Sequence, residues 1–209
     1  MMRRKSSASS VEGVRPASAI VVARPVAFVW TLRSRSVSPR TPLARSAGFS
    51  TPDGAALTVG YGDQVAIYGV AAHWDSLCAC AILKDHGFDT RLVAQVAYWR
   101  GRQRPTAHES LWDASLTPML RWAGPGASGA QLFIEAGIGV RLLSATRINE
   151  ERRFGSAFQF GEIGGLGISF GERHRYELGA YVQHVSNGSI KQPNSGLTYY
   201  GVVLRTALP

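Results

Sequence analysis

The chain is expected to fold as an all-β protein, an eight-stranded antiparallel transmembrane β-barrel, and three observations support this. Beyond residue 50 no apolar run reaches the roughly 18 residues that a membrane-crossing helix needs. Segments of about ten residues with alternating polarity recur instead, which is the barrel signature. Where the alternation is clearest, Tyr176, Leu178, Ala180 and Val182 share one face while Glu177, Gly179, Tyr181 and Gln183 share the other. A greasy outside and a small, polar inside suit a narrow barrel in lipid better than a sandwich core.

Strands are expected near Ala55–Gln64, Val65–Trp74, Thr90–Arg100, Leu111–Trp122, Gln131–Leu143, Ala157–Gly171, Arg175–Asn187 and Leu197–Leu208. Eight is the smallest common count, and an even number leaves both ends on the periplasmic side. The stretch Cys78 to Gly87 reads either as an extension of the second strand or as a loop. Its two cysteines, Cys78 and Cys80, are the only ones in the chain. If they share a strand face they suit neither an unstrained disulfide nor a four-ligand zinc site, so two small buried residues are expected. Trp74, Trp99, Trp112 and Trp122 are candidates for interfacial girdles or for ordinary packing, and Tyr199 and Tyr200 read as girdle residues.

The formal net charge of +9 invites a nucleic-acid reading until the charge is located. Nine basic residues, from Arg3 to Arg45, stand against Glu12 alone in the first 48 positions. The basic balance therefore belongs to a tail, and the remainder is near neutral. Residues 1–50 are set apart as a basic segment, either disordered or an atypical leader. Ala17 to Trp30 is the nearest approach to a signal core, but Arg24 and Pro25 interrupt it. Residues 51–209 are assigned to the barrel. No phosphate-cradling loop and no clustered Cys/His set is present, so no nucleic acid, cofactor or metal is expected.

The stretch Tyr176 to Tyr200 carries the chemistry. After Val182 the apolar face continues with His184 and then Ser186. Same-face neighbours in a strand stand about 6.6–6.8 Å apart, so an imidazole and a hydroxyl there can lean into hydrogen-bond reach. That is the minimum for a base-activated serine nucleophile. A polar pair ending a greasy face makes sense if that face meets lipid and the substrate is itself a lipid.

His184-Val185-Ser186-Asn187, followed by Lys191-Gln192-Pro193-Asn194 and a last strand, resembles the lipid A 3-O-deacylase (PagL) family of Gram-negative outer membranes. Phe133 to Val140 and Phe160 to Gly167 are similar to that family too. The resemblance is strong over Leu132 to Leu208 and rests mainly on strand pattern over Ala55 to Ala130. It implies an outer-membrane barrel that hydrolyses the 3-O-linked acyl chain of lipid A in lipopolysaccharide, with the catalytic groups embedded at the membrane. His184 would take the proton of Ser186, and Asn187, through its backbone or side chain, would hold the oxyanion. Asn194 or a loop N–H near Gly188 would be the second donor.

The family places a Glu two residues after the glycine of its P-N-x-G run, and here that position is Thr198. Glu162 is the candidate substitute. A tight turn near Glu172–Arg173–His174 pairs residues whose numbers sum to about 346, which sets Glu162 opposite His184 on one face. A bulge would send Glu162 to the lumen instead. Lys191 and Arg205 read as solvated charge in preference to lipid phosphate contacts, His174 as a turn residue and His108 as part of a loop. A non-catalytic structural or adhesin-type barrel is the alternative, and a lumen ligand-binder is weaker because eight strands leave little interior room. The sequence leaves a homodimer open.

Overall fold

Alternating strands in one sheet leave two unpaired edges unless the sheet closes, and here it closes. A computed structural model describes residues 51–78, 80–102, 110–127, 129–149 and 151–209. The basic segment 1–50 and His108, for which the sequence analysis holds expectations, lie outside these residues. The strands are β1 Gly54–Gly62, β2 Val65–Asp75, β3 Phe88–Gly101 and β4 Ser110–Ala127, then β5 Ala130–Leu143, β6 Phe158–Phe170, β7 Tyr176–Ser186 and β8 Leu197–Ala207. Each pairs antiparallel with the next, and β1 returns to β8 with Gly54 opposite Ala207. All eight agree with the expected segments to within a few residues. The two ends of the barrel sequence meet at one rim. The turns β1–β2 and the loops β3–β4, β5–β6 and β7–β8 occupy the opposite rim.

Residues of the alternating pattern divide as anticipated. Leu57, Val70, Ile134, Ile138, Leu166 and Val202 are each more than half exposed on the outer wall. Glu135, Gln183, Arg141 and Arg205 are buried inside. This is the inverse of a water-soluble barrel and is the arrangement that hydrocarbon outside would select.

Several residues depart from the sequence reading because a face cannot be assigned near a rim. Trp99 and Tyr199 belong to the interior and not to a girdle: both are fully buried, with ring centroids 6.1 Å apart, and Phe154 from the β5–β6 loop packs on Trp99 at 6.0 Å. With Val65, Ile67, Leu111, Ile148, Val185 and Leu197 they form an apolar plug near that rim. Arg205 is not solvated surface charge. It is buried and bonded to Glu135 and to Glu177, at 3.1 Å for the latter. The chain between β2 and β3 leaves the strand at Asp75, where Ser76 takes φ 55°, and forms a loop with a one-turn helix α1, Ala81–Asp85. Cys78 and Cys80 therefore do not share a strand face, and they are joined as a disulfide with Cα atoms 5.1 Å apart. This corrects the expectation of two unlinked cysteines. His174 sits in the β6–β7 turn, as read.

Charges inside so narrow a barrel must be paired, because an isolated one would be desolvated without compensation. Near the rim that carries the chain ends, Arg91 bonds Asp75 at 2.5 Å and Glu177 at 2.9 Å, and Arg121 joins Glu177 at 3.0 Å and Glu135 at 3.3 Å. Phe133 stacks beneath Arg121, whose guanidinium carbon lies 3.8 Å from the ring centroid. Closer to the other rim, Arg141 pairs with Asp113, and both are almost completely excluded from solvent. Asp113→Ala, which strands the Arg141 charge, is expected to destabilise the folded barrel by about 3–5 kcal/mol. Equilibrium urea unfolding of the detergent-folded protein measures this, and an unchanged midpoint would mean that the pair contributes nothing.

Candidate active site

Strand β7 delivers the two expected groups to one place. Its burial alternates along its length, with Tyr181, Gln183 and Val185 inside and Ala180 and Val182 outside. His184 and Ser186 continue the outer series and are half-buried. Both stand on the outer wall at the rim opposite the chain ends. Neighbouring strands supply their surroundings in register. Glu162 of β6 and Thr198 of β8 lie directly opposite His184 on either side, and Phe160 lies opposite Ser186. The register sum inferred from the β6–β7 turn is therefore the one observed. Glu162 faces outward with Phe158, Leu166 and Ile168 and is exposed.

The imidazole has a single hydrogen-bond partner. His184 Nδ1 lies 2.8 Å from Thr198 Oγ1, and Nε2 has no hydrogen-bond partner among the described residues. No hydrogen bond or ion pair joins Glu162 to His184, and Ser186 Oγ makes no hydrogen bond among the described residues. The other wall of the ring is Gly196, in the left-handed region at φ 62°. A Cβ there would lie 3.0 Å from His184 Cε1, so the glycine leaves room for the ring as well as for the turn.

The two asparagines part company. Asn187 is inward-facing and fully buried. Its Nδ2 donates to the carbonyls of Phe154 at 2.8 Å and Lys191 at 2.7 Å, so its side chain fastens two loops together and is not a free donor. Its backbone N–H is directed to Asn194 Oδ1 at 3.4 Å. Asn194 is half-buried at the rim, and its side-chain NH2 has no hydrogen-bond partner among the described residues. Just beyond β7, Gly188 and Ser189 both have positive φ, 62° and 65°, and Ile190 N–H closes the turn on Asn187 O at 3.2 Å. The N–H groups of Gly188 and Ser189 are left unbonded by this turn. Lys191 is exposed in the same loop.

Among the described residues no group of three or more His, Cys, Asp or Glu side chains could hold a metal ion. Sequence reasoning missed Gly196 as a wall of the site, along with two charged residues, Asp63 and Arg152, that reach it from other loops. The glycine of the Pro193-Asn194-Ser195-Gly196 run was the available signal for the first. The other two lie too far away in sequence for any pattern to link them.

A family model described as lipid A 3-O-deacylase (PagL) matches residues 67–207. The lipid A deacylase PagL of Bordetella bronchiseptica is 41% identical over 100 residues, covering 48% of this chain and 51% of that protein. The lipid A deacylase PagL of Pseudomonas aeruginosa is 34% identical over 109 residues, covering 52% and 59% respectively. The chain thus spans about half the length of the curated relatives it matches. The crystal structure of the outer membrane enzyme PagL superposes with a TM-score of 0.61 at 25% identity, covering 74% of this chain and 99% of that one.

Removing the Asn187 amide orphans two loop carbonyls, at about 1–3 kcal/mol for each group left buried and unpaired. Asn187→Ala is expected to speed amide hydrogen exchange in residues 154–156 and 190–192 while strands β1 to β4 keep their protection. Unchanged exchange in both loops would show that Asn187 does not hold them.

Proposed function

Because the chain belongs to the lipid A 3-O-deacylase (PagL) family, we propose that it is an esterase of the Gram-negative outer membrane that removes the 3-O-linked 3-hydroxyacyl chain of lipid A. The observation that carries this reading is the placement of His184 and Ser186 on the outer wall, at a rim, among apolar side chains. A substrate held in the outer leaflet would present its ester to that wall without leaving the lipid. The filled interior offers no competing site, because side chains occupy the lumen of so small a barrel.

The chemistry follows from the residues. His184 Nε2 accepts the Ser186 hydroxyl proton as the serine oxygen attacks the ester carbonyl. The tetrahedral oxyanion is met by the Asn194 side-chain NH2 and by the backbone N–H of Gly188 or Ser189, the donors not already committed. Collapse expels the sugar hydroxyl, which takes its proton from His184. Water, activated by the same imidazole, then releases the acyl chain from Ser186. Thr198 holds the imidazole through Nδ1. Glu162, across the strand boundary from His184, supplies the negative charge that favours the imidazolium without bonding it. Thr198 orients as a triad acid would, and Glu162 carries the charge, so the two divide a role that one carboxylate fills in the family pattern.

Mass spectrometry of lipid A after incubation with the detergent-folded protein tests the activity. Loss of one 3-hydroxyacyl chain is expected with wild type, and Ser186→Ala is expected to slow it by about 10⁴-fold or more. Unmodified lipid A from wild type would favour the non-catalytic barrel. The division of labour has its own test. Glu162→Gln is expected to lower the rate by about 10-fold to 10²-fold, while Thr198→Glu, which unites both roles at Nδ1, is expected to raise it. A Glu162→Gln enzyme with full activity would remove Glu162 from the mechanism.

A further inference from the structure

The Thr198 hydroxyl can hold His184 only if the start of β8 is itself fixed, and that segment follows a ten-residue connection, Asn187–Gly196, between β7 and β8. Two charged side chains from other loops meet it. The backbone N–H of Thr198 donates to Asp63 Oδ2 at 3.1 Å, from a residue 135 positions earlier in the chain. Asp63 Oδ1 is paired with Arg152 Nη2 at 3.1 Å. The same guanidinium, through Nη1, donates to the carbonyls of Gly196 at 3.3 Å and Ser195 at 3.5 Å. One ion pair thus grips both residues that wall the imidazole, Gly196 and Thr198.

The backbone points the same way. Asp63 and Gln64 are the central pair of the β1–β2 turn and have φ 49° and 61°. Such a turn favours Asn-Gly, and an acidic residue there would ordinarily bond its own neighbours. Asp63 directs its carboxylate to Thr198 and Arg152 instead. Gly62 lets the strands approach at this point, since a Cβ on it would overlap the Thr198 carbonyl oxygen. Arg152 is fixed in turn. Its backbone N–H donates to Oδ1 of the buried Asn149 at 2.8 Å, and Asn149 Nδ2 reaches the Asp63 carbonyl at 3.5 Å.

We propose that Asp63 and Arg152 are positioning residues for His184, an ion pair that fixes Thr198 and Gly196 so that the imidazole keeps Nδ1 on the Thr198 hydroxyl and Nε2 toward Ser186. This rests on the reading of His184 as the general base. With the pair in place the ring is pre-set for proton transfer. Without it the first residues of β8 lose that hold, the Thr198 hydroxyl is no longer kept on Nδ1, and the ring is left facing only Glu162. The pair touches no reacting atom, so its removal acts on the chemical step and not on lipid binding.

The experiment uses Asp63→Ala and Arg152→Gln in the full chain, folded in detergent micelles. The ring is read by nitrogen-15 NMR of histidine-labelled protein in a Ser186→Ala background, which needs no turnover. The wild-type arrangement is expected to show one fixed tautomer at His184, and either substitution to average it. In the Ser186 enzymes kcat is expected to fall by about 10²-fold with KM unchanged, the scale on which a misplaced catalytic group acts. Thr198→Ala combined with Asp63→Ala is expected to be no slower than Thr198→Ala alone. A fixed His184 tautomer in both Asp63→Ala and Arg152→Gln would overturn the proposal, as would additive losses in the double substitution. A wild-type protein that deacylates nothing would instead overturn the enzymatic reading, and the tautomer would still decide whether the pair fixes the ring.

Discussion

The rest of this structure depends on closure of the sheet at eight strands. Closure satisfies every strand edge, and it also fixes how much room is left inside. The interior is filled by paired charges near one rim and by an aromatic and aliphatic plug near the other. Nothing the size of a lipid can enter. Any chemistry on such a molecule has to sit on the outer wall, and that wall is where the alternation places His184 and Ser186.

Closure also decides what a carboxylate can do. Inside, Glu135, Glu177 and Asp113 are neutralised by arginines at hydrogen-bond distance and serve the barrel. Outside, Glu162 has no such partner and stands in the same row as His184. The parity of its place on the strand turns it outward where theirs turns them inward.

The strands, their order and the pairing of Glu162 with His184 were legible because they follow from local rules: period-2 alternation and a short β6–β7 turn that transmits register without slippage. The pairing of Thr198 with His184 follows a ten-residue loop, which hides its register. Legibility failed where those rules lapse. Tyr199 and Trp99 lie in strands, yet an aromatic close to a rim suits either face, and only closure shows that both turn inward. Arg205 looked like surface charge because its partners, Glu135 and Glu177, sit on strands β5 and β7, out of sight of the last strand's own sequence. Asn187 lies one residue beyond Ser186, and that single step sends its side chain to the lumen. The Cys78–Cys80 link depended on Ser76 ending the strand, for which no strong breaker residue gives warning. Asp63 and Arg152 are joined by geometry alone.

The row across β6, β7 and β8 has a consequence for how such a site can change over time. Its three members occupy one rung of a ladder whose spacing the backbone sets independently of side-chain identity. An acid lost from one end of the rung can be regained at the other by a single codon, with no loop rebuilt and no strand moved. The scaffold therefore lets an acid stand on either side of His184. A sequence without an acid on one strand can carry one on the same rung two strands away, as Glu162 and Thr198 stand here on either side of His184.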